Sequence, residues 1–153
     1  MNMIQSAKDQ VLALTTAAYQ KAAAAGLLPE GVTVTPSVEI PKDTANGDYT
    51  TTFCLAAAKA MKMNPRQVAQ ILTEQMDLTD TYFTSVELAG PGFLNFRLGS
   101  RWFGDTVACV EAEGADYGRN DTLAGKKYMV EFVSANPTGP MHMGLSLIHI
   151  SEP

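Results

Sequence analysis

Cysteine, histidine and tryptophan are scarce in this chain of 153 residues, with two, two and one of each. Cys54 and Cys109 stand among small apolar residues, without C-x-x-C spacing and without a neighbouring histidine. Disulfide and zinc frameworks are therefore excluded as organising principles, and both thiols are expected to be packing residues. Positive charge is also in deficit, with 11 Lys and Arg against 16 Asp and Glu and a net charge of −5. A broad basic surface for nucleic acid is thereby ruled out, and an RNA partner has to be recognised locally. No apolar run approaches the roughly 18 residues that span a bilayer. The start MNMIQSAKDQ has neither the basic head nor the apolar stretch of a signal peptide, so the protein reads as cytoplasmic with no membrane partner.

What the sequence does hold is enough apolar material, 46% of its residues, for a real core. Ile4, Ala7, Val11, Leu14 and Ala18 recur every three or four residues, which predicts an amphipathic helix over 2–25 that stops at Gly26. Residues 27–48 read as loop carrying strand material at Val32-Thr33-Val34 and from Val38 to Ile40. The Ala-dense run from Tyr49 to Met61 predicts a second helix capped by Asp48. Asn64-Pro65-Arg66-Gln67 predicts the capped start of a third, buried through Val68, Ile71, Leu72 and Met76. Thr81–Leu88 and Phe93–Leu98 flank Ala89-Gly90-Pro91-Gly92 and predict a hairpin. Ser100 is expected to cap a further helix to about Glu113, packed through Trp102, Phe103, Val107 and Val110, with polar loop from Gly114 to Gly125. Tyr128–Val133 is nearly continuous apolar sequence, the pattern of a strand buried on both faces of a parallel sheet, interrupted by Glu131.

The fold class expected from this pattern is α+β over residues 1–97, helices on a small antiparallel sheet. A linking helix and loop over 98–125 and the first strand of a parallel α/β domain starting at residue 126 would follow. A βαβ unit needs roughly 30 residues, so this second domain is begun and not finished.

Chemistry is concentrated after that last strand, in Glu131-Phe132-Val133-Ser134-Ala135-Asn136-Pro137-Thr138-Gly139-Pro140-Met141-His142-Met143-Gly144. A strand that runs into small, polar and Gly/Pro residues places a loop at the carboxyl edge of an α/β sheet, where such sheets bind ligands. No glycine pattern here matches a Walker loop or a dinucleotide fingerprint. Taken one at a time these residues are ordinary. Glu131 reads as a strand carboxylate paired with Lys126 or Lys127, the Gly and Pro residues as turn punctuation, and His142 as a packed histidine.

As an ordered set they resemble class I arginyl-tRNA synthetases, whose first catalytic strand and histidine-glycine signature this chain reproduces from Val130 through Gly144. Ile40-Pro41, Gly47-Asp48-Tyr49, Asn64-Pro65 and Ala89–Phe96 are similar to that family's additional N-terminal domain. The resemblance implies an ATP-dependent arginine–tRNA ligase that activates arginine and attaches it to its tRNA in protein synthesis. It implies that His142 and Gly144 are catalytic and stabilise charge on the phosphates, with Pro137, Thr138 and Gly139 also at the ATP. It further implies that Glu131, Ser134 and Asn136 bind arginine, the carboxylate of Glu131 meeting the guanidinium. Phe93 and Asn95 match positions that stack on and hydrogen-bond to an unpaired base of the tRNA D-loop, although an isolated Phe93 is more often core.

ATP with magnesium enters as a substrate of the parent enzyme, and no cofactor or metal is expected on this chain. The parent is expected to be a monomer, with no DNA partner. Leu145 replaces a hydrogen-bonding fourth residue of the signature, and Ser146–Pro153 resembles translated sequencing-adapter read-through more than this family. Residues 145–153 are thus expected to be foreign to the parent, a genuine frameshift or divergent terminus being the alternative, and His149, without a carboxylate between it and His142, is not expected to form a metal pair. The chain alone is expected to be inactive as a ligase. The alternatives are a stand-alone tRNA-binding module, or a nonfunctional truncation whose Tyr128–Val133 strand is an aggregation liability.

Overall fold

A computed structural model describes residues 2–131, in two units that divide after Gly118. The first unit contains four α-helices and a four-stranded antiparallel sheet among its described residues. In chain order they are α1 (Met3–Ala24), β1 (Val38–Glu39), β2 (Tyr49–Thr51), α2 (Phe53–Met61), α3 (Pro65–Gln75), β3 (Phe83–Ala89), β4 (Phe93–Leu98) and α4 (Ser100–Glu113). The sheet order is β1-β2-β4-β3, so β4 and β2 are central. Helices on a small antiparallel sheet are the architecture expected from the pattern of elements.

α1 begins where the Asn2 side chain accepts from the Gln5 N–H at 3.1 Å. Ala7, Val11 and Ala18 face the core as the periodicity predicts, joined by Met3, Thr15 and Ala22. Ile4 is the exception, half exposed, because Met3 occupies the inward position one residue earlier. The buried Thr15 hydroxyl is satisfied within the helix, donating to the Val11 carbonyl at 2.6 Å. α3 starts as the Asn-Pro signal predicts, with Asn64 Oδ1 accepting from the Arg66 N–H at 2.9 Å and Val68, Ala69 and Leu72 buried.

Sheet and helices share one apolar layer. Leu94 and Phe96 of β4 are fully buried, with Tyr49 and Phe83 beside them. Phe83 meets Phe96 at 5.3 Å between ring centres and Tyr49 at 6.1 Å, both edge-on, the arrangement that ring quadrupoles favour. Cys54 of α2 is fully buried in this layer, and burial pushes its thiol up to about 12. It is the packing residue that its surroundings in the sequence imply. Cys109 lies instead on α4, only partly buried, its Sγ donating to Glu113 Oε1 at 3.5 Å.

Several expectations are corrected. Tyr49–Thr51 is not the first turn of a helix but a strand, and helix α2 begins only at Phe53. The β-branched run Thr50-Thr51-Thr52 is a poor helix start, and pairing with β4 decides its conformation. Asp48 is accordingly no helix cap: its Oδ2 accepts from the Leu98 N–H at 2.7 Å, holding the end of β4. Val32–Val34 forms no strand. This segment is tied down by the Tyr19 hydroxyl, which donates to the Pro29 carbonyl at 2.8 Å and accepts from the Val32 N–H at 3.0 Å.

At α4 the N-cap is Gly99 rather than Ser100, and no residue of the helix is fully buried. Trp102 turns inward, its Nε1 donating to the Met3 carbonyl at 3.2 Å, while Phe103, Val107 and Val110 lie exposed. An apolar helix stripe is buried only where another element faces it, and among the described residues of this unit none does.

The second unit is described from Arg119 to Glu131. Its residues 126–131 are extended without strand pairing, and Met129 is 96% exposed, so the doubly buried strand expected from Tyr128 onward is not formed over those residues. A strand of that kind is stable only between neighbours that bury both faces and satisfy its backbone. Phe132 and Val133, the remainder of that expectation, lie outside the described residues.

Candidate nucleic-acid interface

Strand alternation sends Leu94, Phe96 and Leu98 toward the helices and leaves Phe93, Asn95 and Arg97 on the opposite face of β4. The register carries that open face across the whole sheet. Asn95 pairs with Thr50 of β2 on one side and with Glu87 of β3 on the other, and Thr50 pairs with Glu39 of β1. A polar row Glu39-Thr50-Asn95-Glu87 thus crosses all four strands. Beside it, Phe93 pairs with Ala89 and Arg97 with Ser85.

Two glycines set the edges of this face. Gly47 (φ +89°) brings the chain so close to β4 that a Cβ there would stand 2.8 Å from the Phe96 carbonyl oxygen. That approach lets the Asp48 N–H donate to the same oxygen at 2.8 Å, which starts the β2–β4 pairing. Gly92 (φ +143°) ends the hairpin turn, where a Cβ would lie 2.8 Å from Pro65 at the start of α3. The Gly-Asp-Tyr, Asn-Pro and Gly-Pro-Gly-Phe signals of the sequence are therefore parts of one construction that aims Phe93 and Asn95 outward.

The resulting hollow has a volume of about 350 Å3, and its lining includes Pro41, Lys42, Asn46, Thr50, Phe93 and Asn95. Phe93 is partly buried in it and Asn95 is 8% exposed, yet among the described residues the Asn95 side-chain amide makes no hydrogen bond within the protein. An aromatic face next to an amide that keeps its donors and acceptor is the combination by which proteins hold an unstacked base. Lys42 at the rim is exposed and supplies a positive charge.

Arg97 is engaged elsewhere, donating from Nη2 to the Ala45 carbonyl at 2.7 Å and lying 3.9 Å from Glu87. Both ion-pair partners are solvated, so that pair contributes little to stability, and it is the hydrogen bond to Ala45 that ties Arg97 to the Thr44–Asn46 turn beside the hollow. Tyr49, on the core side of β2, has its phenol pushed up by burial and then by the charge of Asp48.

Of the residues singled out from the sequence, Phe93 and Asn95 are brought together in this hollow. Glu131 is exposed in the second unit. Ser134, Asn136, Pro137, Thr138, Gly139, His142 and Gly144 lie outside the described residues. Thr50, Asn46 and Lys42 are the lining residues that sequence reasoning missed. Reading Tyr49–Thr51 as a strand would have exposed Thr50 as the outward member of an alternating triplet.

Comparison with known proteins agrees with this construction. The family described as Arginyl tRNA synthetase N terminal domain matches residues 10–98. An arginine–tRNA ligase of Acetivibrio thermocellus is 43% identical over 143 residues, covering 94% of this chain and 25% of the relative. One from Caldanaerobacter subterraneus subsp. tengcongensis is 42% identical with the same coverage. The chain thus spans about a quarter of the length of these relatives. Among solved structures, the crystal structure of arginyl-tRNA synthetase from Plasmodium falciparum matches with a TM-score of 0.51 and 11% identity, covering 65% of this chain and 17% of that one. That likeness concerns the fold. With the family match running from α1 to the end of β4, the chain belongs to the arginyl-tRNA synthetase N-terminal domain family.

Proposed function

We propose that this chain is the tRNA-contacting part of an arginine–tRNA ligase, and that the open face of its sheet holds one unpaired base of the tRNA D-loop. Phe93 stacks on the base, Asn95 hydrogen-bonds its edge, and Lys42 meets a neighbouring phosphate. The observation that carries the reading is the pairing, in one hollow, of an outward aromatic ring with an asparagine that is 8% exposed and whose amide is unbonded within the protein. A net charge of −5 is compatible with such local recognition, which needs few ionic contacts.

The parent reaction is activation of arginine with ATP, followed by transfer of the arginyl group to its tRNA. Within it, Glu131, Ser134 and Asn136 bind arginine. Pro137, Thr138 and Gly139 contact ATP, and His142 and Gly144 stabilise its phosphates. The first strand and loop of a Rossmann-like domain, over 126–144, would carry these residues, in a monomeric cytoplasmic enzyme that takes ATP with magnesium as substrate.

Retardation of arginine tRNA by the 153-residue chain tests the binding half of this reading. Asn95→Ala is expected to weaken binding about tenfold without lowering the urea midpoint of unfolding, as loss of a hydrogen bond to ligand alone. Equal retardation by wild type and Asn95→Ala would remove the base-recognition role.

A further inference from the structure

One group in the hollow is unexplained by packing. Thr50 Oγ1 is closed off from water and has no hydrogen-bond partner, although its residue lines the hollow. A buried hydroxyl left unpaired costs stability, and strand positions of this kind accept valine without loss of shape or β-propensity. The neighbouring threonines of the same run are both bonded. Thr51 donates to the Ser37 carbonyl at 2.9 Å, and Thr52 Oγ1 stands 2.9 Å from the Ser37 hydroxyl. Thr50 alone faces the open side, directly across from Asn95 in the β2–β4 register. Cross-strand neighbours on one face have Cβ atoms about 5 Å apart, close enough for two side chains to reach adjacent atoms of a single small ligand.

We propose that Thr50 is a second base-contacting residue: its hydroxyl, unpartnered and closed off from water in the free protein, turns by one χ1 rotamer into the hollow and bonds the nucleobase that Asn95 also holds. This inference rests on the open face being the base-binding surface. A flat base edge offers a row of donor and acceptor atoms, of which the Asn95 amide takes two and a hydroxyl, able to give or accept, takes the next. A base entering past Lys42 and Asn46 replaces the missing partner, so binding relieves a penalty that the empty protein carries. The orphaned hydroxyl is then a site feature retained against stability, as buried polar groups at binding surfaces are.

The test compares wild type, Thr50→Val, Thr50→Ser and Asn95→Ala in the 153-residue chain, using an arginine tRNA transcript and urea unfolding side by side. Thr50→Val is expected to bind about tenfold more weakly while unfolding at the same or higher urea, and Thr50→Ser to stay within about twofold of wild type. Transcripts made abasic in turn at each unpaired D-loop nucleotide supply the partner side. At one position wild type loses affinity, and there Thr50→Val adds no further loss.

Normal binding by Thr50→Val with impaired Asn95→Ala would overturn the role of Thr50 and leave the base site standing. Failure of Thr50→Ser to restore binding, or parallel loss of stability and affinity in Thr50→Val, would mark the residue as structural and overturn the proposal. Absent tRNA binding by wild type, or binding indifferent to Asn95 and to every abasic position, would overturn the base site itself.

Discussion

Phe93 and Phe96 stand three residues apart on the same strand and face opposite sides of it, so truncating each separates folding from recognition. Phe96 is fully buried, edge-on to Phe83, and lies beneath the Gly47–Asp48 approach through its own carbonyl. Phe96→Ala removes a ring that the layered core cannot refill and is expected to cost about 3–5 kcal/mol. Against a domain stability of about 5–15 kcal/mol, that loss removes between about a fifth and all of it. Phe93 is only partly buried, on the face without helices, and Phe93→Ala is expected to cost about 1 kcal/mol. Its effect belongs in binding, where losing a stacking platform is worth about 1–3 kcal/mol, or roughly fivefold to hundredfold in tRNA affinity. Urea unfolding followed by far-ultraviolet circular dichroism gives the first pair of numbers, and fluorescence anisotropy of labelled tRNA the second. A Phe93→Ala midpoint as low as that of Phe96→Ala would refute the assignment of faces. An intact midpoint with unchanged tRNA affinity would refute the platform.

Gly47→Ala puts a Cβ 2.8 Å from the Phe96 oxygen at φ +89° and is expected to destabilise by about 2 kcal/mol or more, whereas Gly104→Ala, in open space on α4, is expected to stabilise by about 0.5–1 kcal/mol, both read from urea midpoints. The Cys54 thiol, pushed up to about 12 by burial, sits above the value of about 8.5 for an unfolded cysteine, so the unfolded chain sheds this proton first. Its contribution to stability is complete below about pH 8 and is lost as pH rises from there toward the folded value, by about 1.4 kcal/mol per unit. Urea midpoints from pH 7 to pH 10.5, roughly the lower half of this window, are therefore expected to fall more steeply for wild type than for Cys54→Ala; parallel curves would show that the thiol is not buried in solution.

Much of this protein is legible in its residue order because local physics determines it. The periodicity of α1, the Asn64-Pro65 start of α3 and the Gly/Pro turn between β3 and β4 each declare themselves within a few residues. The same holds for the pairing of Phe93 with Asn95 on one side of a strand, since a period of two leaves no other placement. The Val130–Gly144 motif identifies a family by the order of its residues, independently of how they fold.

Tertiary structure decided what depends on partners distant in sequence. Tyr49–Thr51 is a strand because β4 offers it hydrogen bonds, not because Ala-rich sequence follows it. Asp48 caps no helix because the end of β4 claims its carboxylate. The apolar stripe of α4 and the run at Tyr128–Val130 are patterned for burial yet exposed among the described residues, since a pattern states what a face can bury and only a facing element buries it. Thr50 shows the same division at the site. Residue order makes it one threonine among three, and the register that sets it opposite Asn95 leaves its hydroxyl alone without a partner. Hydrogen-bond satisfaction is a property of neighbours in space, and for that reason it could be read only from the folded chain.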